Sequence, residues 1–201
     1  VALVLGVSAC TPEVPLVSEM TPLSNETIDE QRAWVEEEAD AAVIASGIAD
    51  GWHQRGHVPE ENIAWSGLQE DRSQVIGRLS PIECSGAGTG ALNLGLNNDT
   101  AVEDATAIAD GMRAFWESEG WTISDITPPS SNEVYFRADR AHGAILGLRA
   151  TPTGLLIRVT SPCSAHASVT NAFGASGETN AFEVELAARE QTAISNVDVA
   201  S

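Results

Sequence analysis

The sequence contains no lysine: its ten basic residues are all arginine, set against 29 acidic ones for a formal charge of −19. That balance makes nucleic acid and anionic lipid headgroups poor partners, because both would be repelled, and no nucleic-acid partner is expected. The arginine-only basic set, together with many Ala and Gly, is a mark of GC-rich coding and carries no functional message. Cysteine is scarce, at three residues, and no Cys-x-x-Cys or Cys/His spacing points to a metal or thiol-redox site. The helical His-Glu-x-x-His pattern of zinc proteases is also missing. The apolar opening, Val1 to Ala9, is far too short to span a bilayer, which takes about 20 residues.

Those nine residues, apolar and then small ahead of Cys10, read as the second half of a secretory signal. With no starting Met and no basic residues before the apolar core, the chain is expected to begin inside that signal. Val7-Ser8-Ala9-Cys10 resembles the lipobox of bacterial lipoproteins, which implies that the Cys10 thiol receives a diacylglycerol and that residues 1–9 are cleaved away. The alternative is a buried strand ending in an ordinary core thiol. It fits poorly with the segment that follows, because Pro12, Pro15 and Pro22 among Ser, Thr and Glu cannot bury enough apolar surface to fold. Residues 10–23 are therefore expected to tether the protein to the outer face of the cytoplasmic membrane.

A hydrophobic fraction of 43% suits a real core, placed in one domain over 24–170 with a mobile tail over 171–201. With Cys10 assigned to lipid, Cys84 and Cys163 remain as an even pair in an oxidising compartment and are expected to form a disulfide, the alternative being two free thiols. Charge is uneven: fourteen acids lie between Glu13 and Asp71 against Arg32 and Arg55 alone.

Spacing predicts a helix over 24–49, capped by Ser24 or Asn25, with Ile28, Val35, Ala39, Ala42, Val43 and Ser46 as its buried stripe. Residues 51–68 read as loop, pinned to the core by Trp52 and Trp65. Short strands are expected at 73–82 and 91–96. Thr100-Ala101-Val102-Glu103 has the form of a capping box that opens a second helix, ended by Gly120. Four strands follow, over 121–126, 134–139, 144–150 and 155–160. Pairing Ala150 with Leu155 sets Leu148 against Ile157 and Leu146 against Val159, and pairing Ala138 with Ala144 sets Phe136 against Leu146. One apolar face of a three-stranded meander results, to be covered by the second helix and the first. The expected architecture is a two-layer α+β sandwich with an antiparallel sheet. Phe182, Val184 and Leu186, alternating with Glu183 and Glu185, allow a further edge strand or short helix.

The lipobox, the acidic first helix, Cys84, the helix ending Trp116-Glu-Ser-Glu-Gly120-Trp121 and a meander closing on Ser161-Pro162-Cys163 together resemble the small lipoproteins of actinobacteria, in particular the LppA-like group. The likeness covers Cys10 to about Cys163 and implies an extracytoplasmic α+β module, with no catalytic residues to carry over.

Among candidate sites, His53 and His57 lie four apart beside Glu60 and Glu61, but Gly51, Gly56 and Pro59 oppose the helix that would align them on zinc. His142 and His166 have no sequence-visible nucleophile partner. Gly86, Gly88 and Gly90 are spaced like a phosphate loop yet lead into a strand where a helix would be needed. No cofactor, metal or catalytic residue is assigned. The remaining feature is the outer face of the meander, where alternation places Tyr135, Arg137, Arg149 and Arg158. These arginines are either solvated or paired with acids of the first helix packed across them, or they recognise an anionic envelope protein or a carboxylate-bearing wall component. A membrane-tethered, non-catalytic binding module is the reading favoured, with an envelope hydrolase and a carrier of a hydrophobic molecule as alternatives.

Overall fold

The computed structural model describes residues 23–84, 88–128 and 133–172. Cys10, the signal, all but the last residue of the tether, Gly86 and the tail beyond 172 lie outside those residues, as does the Phe182 to Leu186 segment. Element order is α1 (Ile28–Ala45), β1 (Trp52–Gln54), a 3-10 turn at Pro59–Glu61, β2 (Ile63–Ala64), α2 (Gln69–Gly77), β3 (Ile82–Glu83), β4 (Gly90–Ala91), β5 (Asn93–Asn98), α3 (Ala105–Ser118), β6 (Thr122–Asp125), β7 (Val134–Asp139), a 3-10 turn at Ala141–Gly143, β8 (Ile145–Thr151), β9 (Gly154–Thr160) and α4 (Ala167–Thr170). Seven strands form one antiparallel sheet in the order β2-β1-β5-β9-β8-β7-β6, and β3 pairs with β4 beside it. The expected α+β sandwich is the observed one.

Both long helices lie on the same face of the sheet. α1 packs on β9 and β5, and α3 packs on β8, β6 and β7. Val35, Ala39 and Ala42 of α1 and Ala109, Met112 and Trp116 of α3 meet Leu94, Leu96, Phe136, Leu146, Leu148, Ile157 and Val159 in a single core. Trp116 meets Phe136 edge to face at 5.4 Å. At roughly 1.5–3 kcal/mol per fully buried large side chain, this layer is the main source of stability. Trp52 and Trp65 do hold the 51–68 region to it, and that region contributes β1 and β2 to the sheet.

The cap of α1 is Thr27, not Ser24 or Asn25. Its hydroxyl accepts from Glu30 N–H while the Glu30 carboxylate accepts from Thr27 N–H, a full capping box. The Thr100 capping box does not form. Asn98 Oδ1 accepts from Thr100 N–H, Val102 N–H donates to the Pro152 carbonyl, and the helix begins only after Asp104, whose carboxylate accepts from Ala107 N–H. Gly120 ends this helix in the left-handed region, φ +84°, as expected. The first half of the strand expected over 73–82 is helix: α2 runs to Gly77, with Val75 and Ile76 its buried residues, packed on α1 and β2, and only Ile82 enters a strand.

The β8/β9 register is as expected, with Ala150 against Leu155 and Leu148 against Ile157. The β7/β8 register is shifted by two, so that Phe136 faces Leu148 and Ala138 faces Leu146. The 3-10 turn at Ala141–Gly143 takes up residues that the Ala138 to Ala144 pairing would have put in the ladder. A shift of two preserves which side chains face the core.

Cys84 and Cys163 are disulfide-bonded, joining the segment after β3 to the segment after β9. The same end of the sheet holds the chain entry: Ser24 N–H donates to the Cys163 carbonyl, Ser164 Oγ donates to the Glu26 carbonyl, and Ile28 N–H donates to Ser168 Oγ.

A groove on the outer face of the sheet

On the face opposite the helices, alternate residues of four neighbouring strands line up in rows. One row across β7, β8, β9 and β5 is Arg137, Gly147, Arg158 and Gly95. The next is Tyr135, Arg149, Leu156 and Asn97, and on the other side lies Asp139, Ile145, Thr160 and Asn93. Because Gly147 presents only hydrogen between Arg137 and Arg158, the sheet surface dips there. The dip is a groove of about 120 Å³, walled by Ile126, Tyr135, Ile145 and Leu156 and crossed by Arg137, Arg149 and Arg158. An added Cβ at Gly147 would meet Arg158 Cβ at 3.6 Å, an ordinary contact. Ile126 is set over the groove by a double clasp: its N–H and the Thr127 hydroxyl both donate to the Tyr135 carbonyl, and Tyr135 N–H donates to Thr127 Oγ1. The Thr127 N–H also donates to the Asp125 carboxylate, holding its pKa below the usual range.

The structure thus brings Tyr135, Arg137, Arg149 and Arg158 together. Their carboxylate partners are not the first-helix acids that were one expectation. Arg137 binds Asp139 two residues along its own strand, at 2.5 and 2.7 Å. Arg149 binds Glu133 through two parallel bonds of 2.7 and 2.8 Å. No acid of α1 packs across these arginines, because α1 is on the other face; its Glu38 lies 3.8 Å from Arg140, which stacks over Trp121. Arg137, Arg149 and Arg158 thus share this face with Asp139 and Glu133, on a chain of −19. Period-two alternation already put Asp139 and Glu133 on the arginine face, and that signal was readable. The place of Asn93 beside Thr160 at the groove's end was not, since nothing in the sequence pairs β5 with β9.

The histidines stand apart on separate elements. His53 on β1 directs Nδ1 toward the Gly51 carbonyl and Nε2 toward Asp99 at 3.5 Å. The His142 carbonyl accepts from Cys163 N–H, and His166 caps α4 through Ser168. The Ser168 hydroxyl is itself engaged by Ile28 N–H, so the His166 and Ser168 pair is a helix cap. Among the described residues no group of three or more His, Cys, Asp or Glu could hold a metal ion, and no helix is long and apolar enough to cross a membrane. The space between sheet and helices is filled by Trp116, Phe136, Met112 and their aliphatic neighbours.

No family model, curated protein or solved structure matches this chain.

Proposed function

We propose that the protein is an extracytoplasmic lipoprotein, tethered to the membrane through Cys10, whose domain is a non-catalytic binding module of the actinobacterial small-lipoprotein type. Its ligand is a carboxylate-bearing component of the envelope, seated in the outer-face groove. The observation that carries this reading is the groove itself: apolar walls, a glycine floor and three guanidiniums, on the one part of an acidic chain where arginine gathers. Its volume is close to that of an engineered cavity of about 150 Å³ that holds one benzene ring. A single ring or branched side chain fits, with a carboxylate beside it reaching a planar guanidinium. The compartment is supported by the Val7 to Cys10 motif and by the Cys84 to Cys163 bond, since such bonds persist outside the reducing cytoplasm.

The test uses soluble wall fragments, native and with carboxyls amidated, titrated against the parent and Arg158→Gln. Native fragments should bind the parent, and Arg158→Gln should weaken them by about 1.5–3 kcal/mol, the worth of a bond to a charged group. Equal binding of native and amidated fragments would overturn the carboxylate assignment. In parallel, Cys10→Ala should move the folded protein from the membrane to the soluble fraction; retention in the membrane would sink the anchor.

A further inference from the structure

We propose that a second surface of this domain docks a partner protein through a bulky apolar residue flanked by lysine or arginine, seated in the cleft between the C-terminal end of α1 and the connection from β2 to α2. The cleft has a volume of about 790 Å³, the size of a ligand pocket, and shares no lining residue with the groove on the outer face. Val43 and Ile44 of α1, with Ile48 and Trp65, give it apolar walls. Two charged residues hold those walls in place. The Trp65 indole N–H donates to one Asp40 oxygen at 3.0 Å, Arg72 meets the other at 2.6 Å, and Arg72 Nε donates to the Ser66 carbonyl. The Arg72 guanidinium also lies over the Trp65 ring, 5.9 Å from its centre. With Asp40 and Arg72 matched to each other, the cleft offers an occupant hydrocarbon in a preformed shape. Apolar surface continues past its mouth. Ile44, 78% exposed, and Leu68, 67% exposed, are the two most exposed large hydrophobic side chains among the described residues, and Leu68 directly follows Gly67 of the cleft wall. A cleft framed by exposed aliphatic residues has the form of an anchor pocket at a protein interface.

The charge around the cleft selects the partner. A second depression, lined by Glu60, Glu61, Asp71 and Arg78, adjoins it at Asn62 and Ala64, beside the edge strand β2. Among the described residues none of these three carboxylates is in an ion pair: Glu61 accepts from His57 N–H and Asp71 from the Ser66 hydroxyl. α1 adds to the same sign, because its C-terminal end, the negative end of the helix dipole, opens on the cleft with no basic residue in its last turn. Over residues 36–72 the chain carries nine acids against Arg55 and Arg72. A second copy of this chain, at −19, is repelled from such a surface, and so is an anionic lipid surface. The complement is a basic segment of a partner protein, its apolar anchor entering the cleft and a cationic side chain reaching Glu60, Glu61 and Asp71.

Trp52 and Trp65 line the cleft, so their indole N–H resonances report its occupancy in the full chain. Three amidated pentapeptides serve as probes: Arg-Ala-Phe-Ala-Arg, Glu-Ala-Phe-Ala-Glu and Arg-Ala-Ser-Ala-Arg. The first should shift the Trp65 resonance saturably, with an affinity about tenfold above that of either other peptide. Ile44→Ser combined with Leu68→Ser should weaken its binding about tenfold. Glu60→Gln combined with Glu61→Gln should weaken it about fivefold and remove most of its salt dependence. All four of these side chains are exposed, so thermal melts of both variants should match the parent's. Three peptides of equal affinity, or variants that bind the first peptide as the parent does, overturn the proposal, as does a Trp65 resonance unmoved at millimolar peptide. A Trp65 resonance that moves with protein concentration in the absence of peptide assigns the cleft to a second copy and overturns the proposal as well.

Discussion

The two faces of the seven-stranded sheet are made from the same strands and solve opposite problems. Phe136, Ala138, Leu146, Leu148, Ile157 and Val159 point one way and are fully buried under α1 and α3. Arg137, Arg149 and Arg158 alternate with them and point the other way, half-buried among one another. On the inner face stability comes from removing hydrocarbon from water. On the outer face the stems of the arginines pack while the heads of Arg137 and Arg149 meet Asp139 and Glu133. Laying a helix over three guanidiniums and two carboxylates would strip their water at a cost that ion pairing seldom returns, so both helices choose the hydrocarbon side. Among the described residues no helix lies over the outer face, and the chemistry of that face is the reason.

The largest expected effect is common to both faces. Replacing Cys84 or Cys163 opens a loop closed across 79 residues, worth about 4.5 kcal/mol in the chain-entropy account. Thermal melts of Cys84→Ala should show that loss. A melt unchanged by the substitution would mean the bond constrains nothing that the sheet does not already constrain.

Two neighbouring residues divide the faces directly. Leu148→Ala should cost about 2–5 kcal/mol, by lost burial plus the cavity left under α3. Gly147→Ala, one residue away on the other face, should cost nothing measurable or stabilise by about 0.4–1 kcal/mol, because its Cβ fits and the unfolded chain loses freedom. Denaturant unfolding of the pair checks this. Equal losses would show that the outer face is packed against something as tightly as the inner one.

The smallest effect contrasts two arginine pairs. Glu133 receives two short bonds from Arg149, whereas Glu38 lies half-buried at 3.8 Å from Arg140. Burial raises the Glu38 pKa above 4.5 and Arg140 only partly offsets it. A carboxyl whose folded pKa is raised binds its proton more tightly in the folded state, so it costs stability as pH rises from 4.5 through that folded pKa. Glu38→Gln should therefore raise Tm at neutral pH, with the gain vanishing below the ordinary carboxyl range. A lower Tm at neutral pH would show that the Arg140 pair outweighs the burial.

Local order alone determined much of this protein. The turn Thr151-Pro152-Thr153-Gly154 fixes its flanking strands to one register, since a short loop leaves the ladder no freedom, and the β8/β9 pairing could be read from it. Alternation then sorted inner from outer residues, a property that survived even the two-residue slip between β7 and β8. The Thr27 to Glu30 capping box is equally local, although Ser24 or Asn25 was the cap expected. Other features were decided only by the tertiary structure. Thr100 to Glu103 has a helix start's pattern, yet contacts with Asn98 and Pro152 hold those residues out of the helix and pass the cap to Asp104. α2, with only Val75 and Ile76 buried, carries too little periodicity to announce itself and is held by α1 and β2. The groove's end needed Asn93 of β5 beside Thr160 of β9, a pairing across more than sixty residues that no local signal encodes. That no acid of α1 meets the arginines followed from the face on which α1 came to rest, and that choice is a matter of desolvation summed over the whole sheet.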